Sequence, residues 1–296
     1  MSQRSGVVTA FVKEVDAEQG RLRVEYRGIE EGLLSPWAYI AAPLSGQGRG
    51  ALFMPEPDDE VLVCYGDDDF GHPYVVGCLW NGEQTSPETE AHNRVIVTPG
   101  GHQLRFEDKE NDTRIVLRSK GGHSLTLEDK ADQAKVDLKS NGNRELLLDD
   151  SPTHGLLRIT SGQHEILLDD LAADAKVEVR VGSAGLAKIT IKAAPPSLNV
   201  QVGANSLDIS AQGVTLTAAG TVTVNAGGAV SITSTGVANV TCTAANITAA
   251  GAMNLTTGVL SVTAGLATFA GVVMASAVIT PAVVSPLYSP GVGNLI

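Results

Sequence analysis

A short repeat that begins near Thr98 constrains the fold of this 296-residue chain more than any other feature. Equivalent positions are marked by Gly-Gly-His102, Gly-Gly-His123, Asn-Arg144 and Gln-His164, which step by 21, 21 and 20 residues. Each unit holds two short runs in which apolar and polar residues alternate. Because successive side chains of a strand point to opposite faces, such alternation buries one face. The repeat therefore predicts a regular stack of short β-strands.

Paired apolar positions predict where these strands lie. The pairs are Leu104/Phe106, Ile115/Leu117, Leu125/Leu127, Val136/Leu138, Leu146/Leu148, Leu157/Ile159, Ile166/Leu168 and Val177/Val179. The turns between them are of two kinds, one acidic, as in Glu128-Asp129-Lys130 and Asp149-Asp150, and the other rich in Gly, Ser and Asn. Both compositions favour turns that face solvent.

The repeat tightens after Pro195-Pro196, where most apolar pairs recur every seven or eight residues. The pairs are Leu198/Val200, Leu207/Ile209, Val214/Leu216, Val222/Val224, Val230/Ile232, Val240/Cys242, Met253/Leu255 and Leu260/Val262. The residues between them are small, and Asp208 is the only charged residue from Pro195 to Ile296. Because strands this short cannot shield a core alone, the pattern predicts three copies wrapped around one axis.

A membrane-spanning helix is a rival interpretation of this tail. The stretch from Gly265 to Val284 carries no charge and has the length of a membrane span. However, Thr, Ser and Gly punctuate it, Pro281 interrupts it, and no Lys or Arg flanks it to set an orientation. The β-repeat is the favoured interpretation.

The first zone of the chain has the pattern of a small β-barrel. Strand-like runs such as Gly20–Tyr26 and Glu60–Tyr65 alternate with turns rich in Gly, Pro and Asp. Closure into a barrel removes the open edges of short strands. We therefore predict an all-β chain with three zones: a barrel over 1–98, an acidic-turn repeat that forms a neck and the start of a β-helix over 99–194, and a small-residue triple-stranded β-helix with its tip over 195–296.

Composition excludes several classes of function. The formal net charge of −12 disfavours nucleic acid and anionic membrane surfaces as partners. No G-x-S-x-G, H-E-x-x-H or Walker motif is present, so we predict a protein that is not an enzyme and needs no cofactor. Cys64, Cys78 and Cys242 match no zinc or disulfide pattern, and we expect buried thiols. The first residues lack the apolar region of a signal peptide, which predicts synthesis in a bacterial cytoplasm.

A series of motifs runs in a defined order through the first zone. Asp16 precedes Gly20-Arg21-Leu22-Arg23-Val24, and Trp37 leads to Asp59-Glu60-Val61-Leu62-Val63 and then to His72-Pro73. Gly77 and Leu79-Trp80-Asn81-Gly82 end the series. Together these residues resemble the gp5-like OB-fold domain of phage baseplate spikes, type VI secretion VgrG proteins and related contractile injection systems. One departure is Asp58, which stands where the family usually has Gly. The sequence starts directly with the barrel zone, so we expect a separate protein to supply the hub that large VgrG proteins carry ahead of the barrel. We also expect no inserted module like the lysozyme domain of the T4-type spike.

The resemblance implies a homotrimeric spike without catalytic, cofactor-binding or metal-binding residues. Such a spike sits on a trimeric gp27-like hub at the end of the inner tube, and pierces a target envelope when the sheath contracts. It assembles into the baseplate and is delivered outside or into the target cell on firing. The motif positions expected at the hub collar are Gly20, Arg21, Trp37, Glu60, Pro73, Gly77 and Asn81. The ending Tyr288–Ile296 resembles a blunt spike terminus, and a PAAR-like cap is expected on Gly293, Asn294, Leu295 and Ile296.

Three alternatives remain open at this point. A single-chain β-solenoid could serve as a carbohydrate-active protein or an adhesin. The Asp67-Asp68-Asp69 triplet could bind calcium, although Asp is also common in turns. His102, His123 and His164 could form metal-binding rings in a trimer, but Arg144 occupies the equivalent place in the third unit, which favours solvated turns.

Overall fold

The N-terminal residues fold into a closed five-stranded barrel. The computed structural model describes residues 6–28, 32–152, 155–171, 173–182 and 186–282. The strands of the barrel are β1 (Val8–Asp16), β2 (Arg21–Tyr26), β3 (Ala38–Ile40), β6 (Glu60–Tyr65) and β7 (Pro73–Cys78). They close in the order β1-β2-β3-β7-β6. A two-stranded arm, made of β4 (Ser45–Gly46) and β5 (Arg49–Gly50), lies between β3 and β6 in the chain.

The barrel core is built from small aliphatic side chains. Its buried members are Ala10, Val12, Leu22, Val24, Ala38, Val61, Val63 and Val75. They come from alternate positions of the strands, so the residues between them point away from the core. One extra residue interrupts the register at Lys13 of β1, opposite β2, and at Val76 of β7, opposite β6. Such bulges bend a strand, which helps so small a sheet to close.

The remaining strands form one large antiparallel sheet. They are β8 (Asn93–Val97), β9 (Gln103–Lys109), β10 (Asp112–Arg118), β11 (Ser124–Glu128), β12 (Lys135–Lys139), β13 (Arg144–Asp149), β14 (Leu156–Ser161), β15 (His164–Asp169), β16 (Lys176–Val181), β17 (Ala187–Lys192), β18 (Ser197–Val202), β19 (Asn205–Ser210) and β20 (Gly213–Thr217). Each strand pairs with its neighbours in sequence, from β8 at one side of the sheet to β20 at the other. The backbone pairing of this meander is thus satisfied within one chain.

The secondary structure confirms the all-β prediction. No α-helix occurs among the described residues, and a single 3₁₀ turn spans Gly66–Asp68. None of the residues that the structure describes forms a helix with the length and hydropathy of a membrane span.

The chain divides into two compact units, residues 1–225 and 226–296. Within the second unit, residues 226–282 contain no strand, and their apolar side chains are exposed; Ile232, for example, is 87% accessible. The strands of the sheet run from Asn93 to Thr217, across both zone boundaries that the repeat pattern suggested. The three-zone division stays a prediction.

Candidate assembly surfaces

One face of the large sheet carries two unbroken files of apolar side chains. Ile115 lies opposite Phe106 and Leu127, and its companion Leu117 lies opposite Leu104 and Leu125. The files continue through Val136/Leu138, Leu146/Leu148, Leu157/Ile159, Ile166/Leu168, Val177/Val179, Ile189/Ile191, Leu198/Val200, Leu207/Ile209 and Val214/Leu216. Many of these side chains are about half exposed in the single chain. A contiguous apolar strip of this length marks an interaction surface.

The opposite face of the sheet is mainly polar, and most of its charges are paired within the chain. The Lys139 ammonium lies 2.6 Å from Asp137 and 2.9 Å from Glu145. Hydrogen bonds to these two carboxylates raise the pKa of Lys139. Arg180 pairs in the same way with Glu178 and with a second carboxylate on β15. A face of this kind is suited to solvent, so the two faces of the sheet have opposite character.

The Gly- and Ser-rich turns repeat one geometry. In the turn 119–123, the Ser119 hydroxyl accepts a hydrogen bond from the His123 amide at 3.0 Å, and the backbone of Ser119 pairs with that of His123. Gly122 takes a φ of +86° in this turn. Thr98–His102 and Ser140–Arg144 repeat these contacts. The sequence Ser/Thr-x-Gly-Gly/Asn-His/Arg therefore encodes a specific hairpin turn.

The histidines of these turns bridge successive hairpins. Nδ1 of His123 accepts a hydrogen bond from the Asn141 amide at 3.2 Å, and Nδ1 of His164 accepts one from the Gly182 amide at 3.2 Å. His102 makes the equivalent contact to Lys120. No group of three His, Cys, Asp or Glu side chains with metal-binding geometry occurs among the described residues. The contacts that are present hold one turn to the next.

The acidic turns are partly stabilised by their own carboxylates. Oδ1 of Asp169 accepts the Leu171 amide at 3.0 Å. Asp174 lies 2.9 Å from the Lys176 ammonium and 2.7 Å from that of Lys192. Hydrogen bonds from Lys192 and then Lys176 lower the pKa of Asp174 to about 2. Several other acids of these turns project into solvent.

The barrel motif residues Gly20, Arg21 and Trp37 lie close together. Gly20 turns the chain into β2 with a φ of +64°. The Arg21 guanidinium lies 2.9 Å from Asp16 and 4.6 Å from the centre of the Trp37 ring. Arg23 stacks over the same ring at 4.6 Å. The ring, which is half-buried, is thus held in place by two arginines.

The other motif residues are dispersed. Pro73 is fully buried, and Glu60 is 4% exposed with Arg27 as its ion-pair partner at 3.5 Å. Gly77 lies in β7, while Asn81 follows the barrel and its side chain accepts two backbone amides at 3.1 and 2.9 Å. Residues such as Glu60 and Pro73 shape the barrel from inside. The assignment of the whole set to a hub collar stays a prediction.

A groove of about 750 Å³ lies beside the β4–β5 arm. Its exposed apolar lining includes Tyr39, Leu44, Leu52 and Phe53. Cys78 also faces this groove, and its side chain is exposed. Neighbouring atoms still desolvate its sulfur in part, which, with the charge of Asp59 second, raises the pKa of the thiol. Sequence reasoning did not find this arm, because its two-residue strands carry no periodic pattern.

The expectation of buried thiols is wrong for two of the three cysteines. Cys64 is half-buried in β6, whereas Cys78 and Cys242 are exposed. Cys78 ends its strand on the groove side of the barrel, and Cys242 belongs to the second unit, whose side chains face solvent in the single chain.

The Asp67-Asp68-Asp69 segment forms a local turn. Asp67 has a φ of +53°, and Asp69 accepts the Gly71 amide at 2.8 Å and contacts Nδ1 of His72 at 3.0 Å. These hydrogen bonds, with that of Gly71 first, lower the pKa of Asp69. The carboxylate of Asp69 is therefore occupied by its own turn.

Glu88 ties the segment after the barrel to the polar face of the sheet. Its carboxylate accepts the amides of Thr89 and Glu90 and the side-chain amide of Asn93, and it lies 2.6 Å from Arg105. These contacts, led by the Glu90 amide, lower the pKa of Glu88. No sequence motif indicated this role.

Comparison with known proteins places the barrel in a family. Residues 4–80 match the type VI secretion system/phage-baseplate injector OB domain. Over these residues the chain is similar to gp5/VgrG-like spike proteins. It is 28% identical over 114 residues to the type VI secretion system spike protein VgrG4b of Pseudomonas aeruginosa, an alignment that covers 34% of the chain. It is also 28% identical over 116 residues, 35% of the chain, to the spike protein VgrG5 of the same organism. The chain spans 14% and 15% of the lengths of these two relatives.

The terminus expected to bind a cap, Gly293, Asn294, Leu295 and Ile296, lies outside the described residues. A PAAR-like cap on this terminus stays a prediction.

Proposed function

We propose that this gp5/VgrG-like chain is the central spike of a contractile injection system, acting as a homotrimer without catalytic activity. In this proposal three barrels form a collar on a trimeric gp27-like hub at the end of the inner tube, and three tails form the needle. Contraction of the sheath then drives the needle through the target envelope. The injector OB domain of residues 4–80 supports the type of machine.

The apolar face of the large sheet is the observation that carries the proposal. From β9 to β20 every strand contributes two apolar residues to this face, and the single chain leaves much of their surface exposed. Burial of apolar surface is worth about 25 cal/mol per Å², so an exposed strip of this length favours association strongly. Three copies that turn these faces toward a common axis would bury the strip and leave the paired charges of the opposite face in water.

The strand pairing supports two modes of association along the needle. Over residues 93–217 each copy supplies a complete sheet, so copies would meet through side chains. Residues 226–282 keep the apolar pairs but form no strand within the chain. There, three copies would supply the missing backbone partners to one another, as in an intertwined β-helix.

The charge distribution suits an envelope-piercing role. Between residues 195 and 282 only Asp208 carries a charge, and hydrogen bonds from Asn199 and Ser206 lower its pKa. Charges are costly in the hydrocarbon core of a bilayer, so a nearly neutral leading segment lowers the barrier to entry. We further propose that the chain is made in the bacterial cytoplasm, built into the baseplate, and carried out of the cell or into a target on firing.

The native mass of the purified chain tests this function. Light scattering is expected to give a trimer of the 30.7 kDa chain, and the trimer should resist SDS until it is boiled because many layers must unwind together. A well-behaved monomer would overturn the spike and would favour a single-chain β-solenoid instead. Binding of a cognate cap protein to the trimer, measured separately, tests the tip.

A further inference from the structure

The two edges of the large sheet carry unpaired charges of opposite sign. Because the sheet is an antiparallel meander, its hairpin turns alternate between two edges. We call the edge that holds the turns 110–111, 129–134, 150–155 and 170–175 the acidic edge, and the edge that holds the turns 98–102, 119–123, 140–143 and 162–163 the basic edge. An edge in this sense is a side of the sheet formed by strand ends and their turns, and not an outermost strand.

Five exposed carboxylates of the acidic edge have no ion-pair or hydrogen-bond partner for their side chains within the described part of the chain. They are Glu110, Asp129, Asp132, Asp150 and Asp170. Lys109 and Lys130 of the same edge also have no ion-pair partner among the described residues, so the unpaired groups of this edge remain net negative.

The basic edge shows the opposite pattern. Its turns, from Thr98–His102 to Gly162–Gln163, contain no Asp or Glu. Arg118, Lys120 and Arg144 are exposed there, and their side chains form no ion pair with any other described residue. Elsewhere on the sheet opposite charges are paired across neighbouring strands, as in Arg114–Glu107 and Lys135–Glu128. The charges that remain unpaired are therefore concentrated at the two edges.

We propose that the acidic edge of one copy docks against the basic edge of the next copy around the threefold axis of the spike. This inference rests on the proposed homotrimer and specifies its lateral contact. In a cyclic trimer every interface is heterologous, so each copy presents one patch to its left neighbour and a different patch to its right neighbour. Two edges of opposite charge meet that requirement, whereas like edges would repel each other.

The symmetry also predicts which turns face each other. A threefold rotation keeps equivalent residues at the same height along the axis, and turns alternate between edges as the chain ascends. The turn that holds Arg144 therefore faces the interval between the acidic turns 129–134 and 150–155 of the neighbour. Asp129 and Asp150 are the expected partners of Arg144. Lys120, one repeat earlier in the chain, faces the interval between the acidic turns 110–111 and 129–134 of the neighbour.

The edge charges determine how the three copies are arranged more than they increase the stability of the trimer. Exposed ion pairs contribute little to stability, while the apolar faces provide the driving force. Complementary charge instead speeds encounter and excludes wrong partners, and both effects weaken with salt. The edge contact should thus determine which way three amphipathic sheets join, and prevent apolar faces from joining as a two-fold pair.

Charge reversal tests the contact in the full-length chain. Lys120→Glu with Arg144→Glu makes both edges negative, and Asp129→Lys with Asp150→Lys makes both edges positive. Each double variant should refold into the trimer about tenfold more slowly at low ionic strength, with the deficit shrinking in high salt. The quadruple variant restores opposite charge at every interface and should regain the wild-type rate. Glu18→Lys with Glu83→Lys, in the barrel and the segment after it, is the matched control for Asp129→Lys with Asp150→Lys, because both pairs change the net charge by the same amount and in the same direction.

A zero-length carbodiimide cross-linker supplies a second readout. Within one chain the two edges are separated by a strand of five or six residues, roughly 17–20 Å, so Lys120 cannot be coupled to an acidic turn of its own copy. In trimers mixed from isotope-labelled and unlabelled chains, Lys120 should be coupled to Asp129 or Asp132 of another copy. Two outcomes would overturn the edge contact alone. In one, the acidic turns are cross-linked only to lysines of the acidic edge; in the other, the quadruple variant refolds as slowly as the double variants. A monomeric wild type overturns the proposed function itself.

Discussion

At the residue scale, Asp58 shows how a departure from a family pattern can be accommodated. The chain has Asp where the gp5-like family usually has Gly, and the backbone there takes a φ of +73°. Asp is among the few residues other than Gly that tolerate this region. Its carboxylate also accepts a hydrogen bond from Lys13 at 2.8 Å, and this contact raises the pKa of Lys13. The backbone conformation thus explains the residue types found at this position.

A pair of substitutions at Asp58 tests that explanation. Asp58→Gly should leave the thermal midpoint of the barrel nearly unchanged, because relief of backbone strain offsets the lost exposed contact. Asp58→Val should destabilise the barrel by about 1–2 kcal/mol or more, since a β-branched side chain is strained at positive φ. Circular dichroism melts of both variants provide the comparison. Equal midpoints for the Gly and Val variants would contradict the role of the backbone.

Asp174 makes a separate prediction about acid. Its folded-state pKa of about 2 lies below its ordinary value of 3.8, so its carboxylate stabilises the fold fully above the ordinary value. That contribution should be lost progressively as the pH falls from about 4 toward 2. Carbon-13 NMR titration of the side chain should give the low midpoint. In Asp174→Asn, amide exchange in residues 173–176 should be faster at neutral pH and should lose this dependence on acid; a midpoint near 4 would contradict the two-lysine clamp.

At the scale of elements, the positive φ of the Gly- and Ser-rich turn predicts which residues the turn can accept. Gly122 has a φ of +86°, and Asn143 occupies the equivalent place in the next repeat with a φ of +56°. Gly122→Asn should therefore keep the hairpin, whereas Gly122→Val should loosen it at a cost of about 1–2 kcal/mol. Amide exchange at Ser119 and His123 reports on the turn. Similar exchange in the Asn and Val variants would show that the turn does not depend on this conformation.

At the scale of the whole molecule, periodicity was sufficient to locate most of the large sheet. The apolar pairs from Leu104/Phe106 to Val214/Leu216 lie on strands, and both members of each pair point to one face as the alternation predicts. The pair Ile189/Ile191 of β17 was missed, although it has the same alternation, because the segment before it breaks the regular spacing. The family resemblance predicted the barrel, and the match over residues 4–80 confirms it.

Other features could not be predicted because they depend on contacts without periodicity. Glu88 lies in a segment that has no strand pattern, yet its carboxylate contacts four partners. The pairing of the meander within one chain also could not be deduced, since alternation defines which face is apolar but not which strand lies alongside. For the same reason the pairs after Val222 predict apolar faces, while their strand partners stay a prediction.

The apolar face makes the final prediction, because adjacent residues of one strand point to opposite faces. Ile159 lies in the apolar files opposite Leu146 and Ile166, whereas Thr160 lies on the polar face opposite Glu145 and Glu165. Ile159→Lys would place three ammonium groups in the interior of the trimer, which costs several kcal/mol per copy unless they are paired. Thr160→Lys adds the same group beside two carboxylates in water, so it is the matched control.

Light scattering of the two variants at equal concentration should separate the faces. Ile159→Lys is expected to lower the association constant of the trimer by at least about 100-fold, since a loss of about 3 kcal/mol already corresponds to that factor. Thr160→Lys should remain trimeric and SDS-resistant. The monomers of Ile159→Lys should keep the β-sheet content of the wild type by circular dichroism. If both variants assembled equally well, the apolar files could not be the surface that holds three copies together, and burial of this face would have to be sought within a single chain.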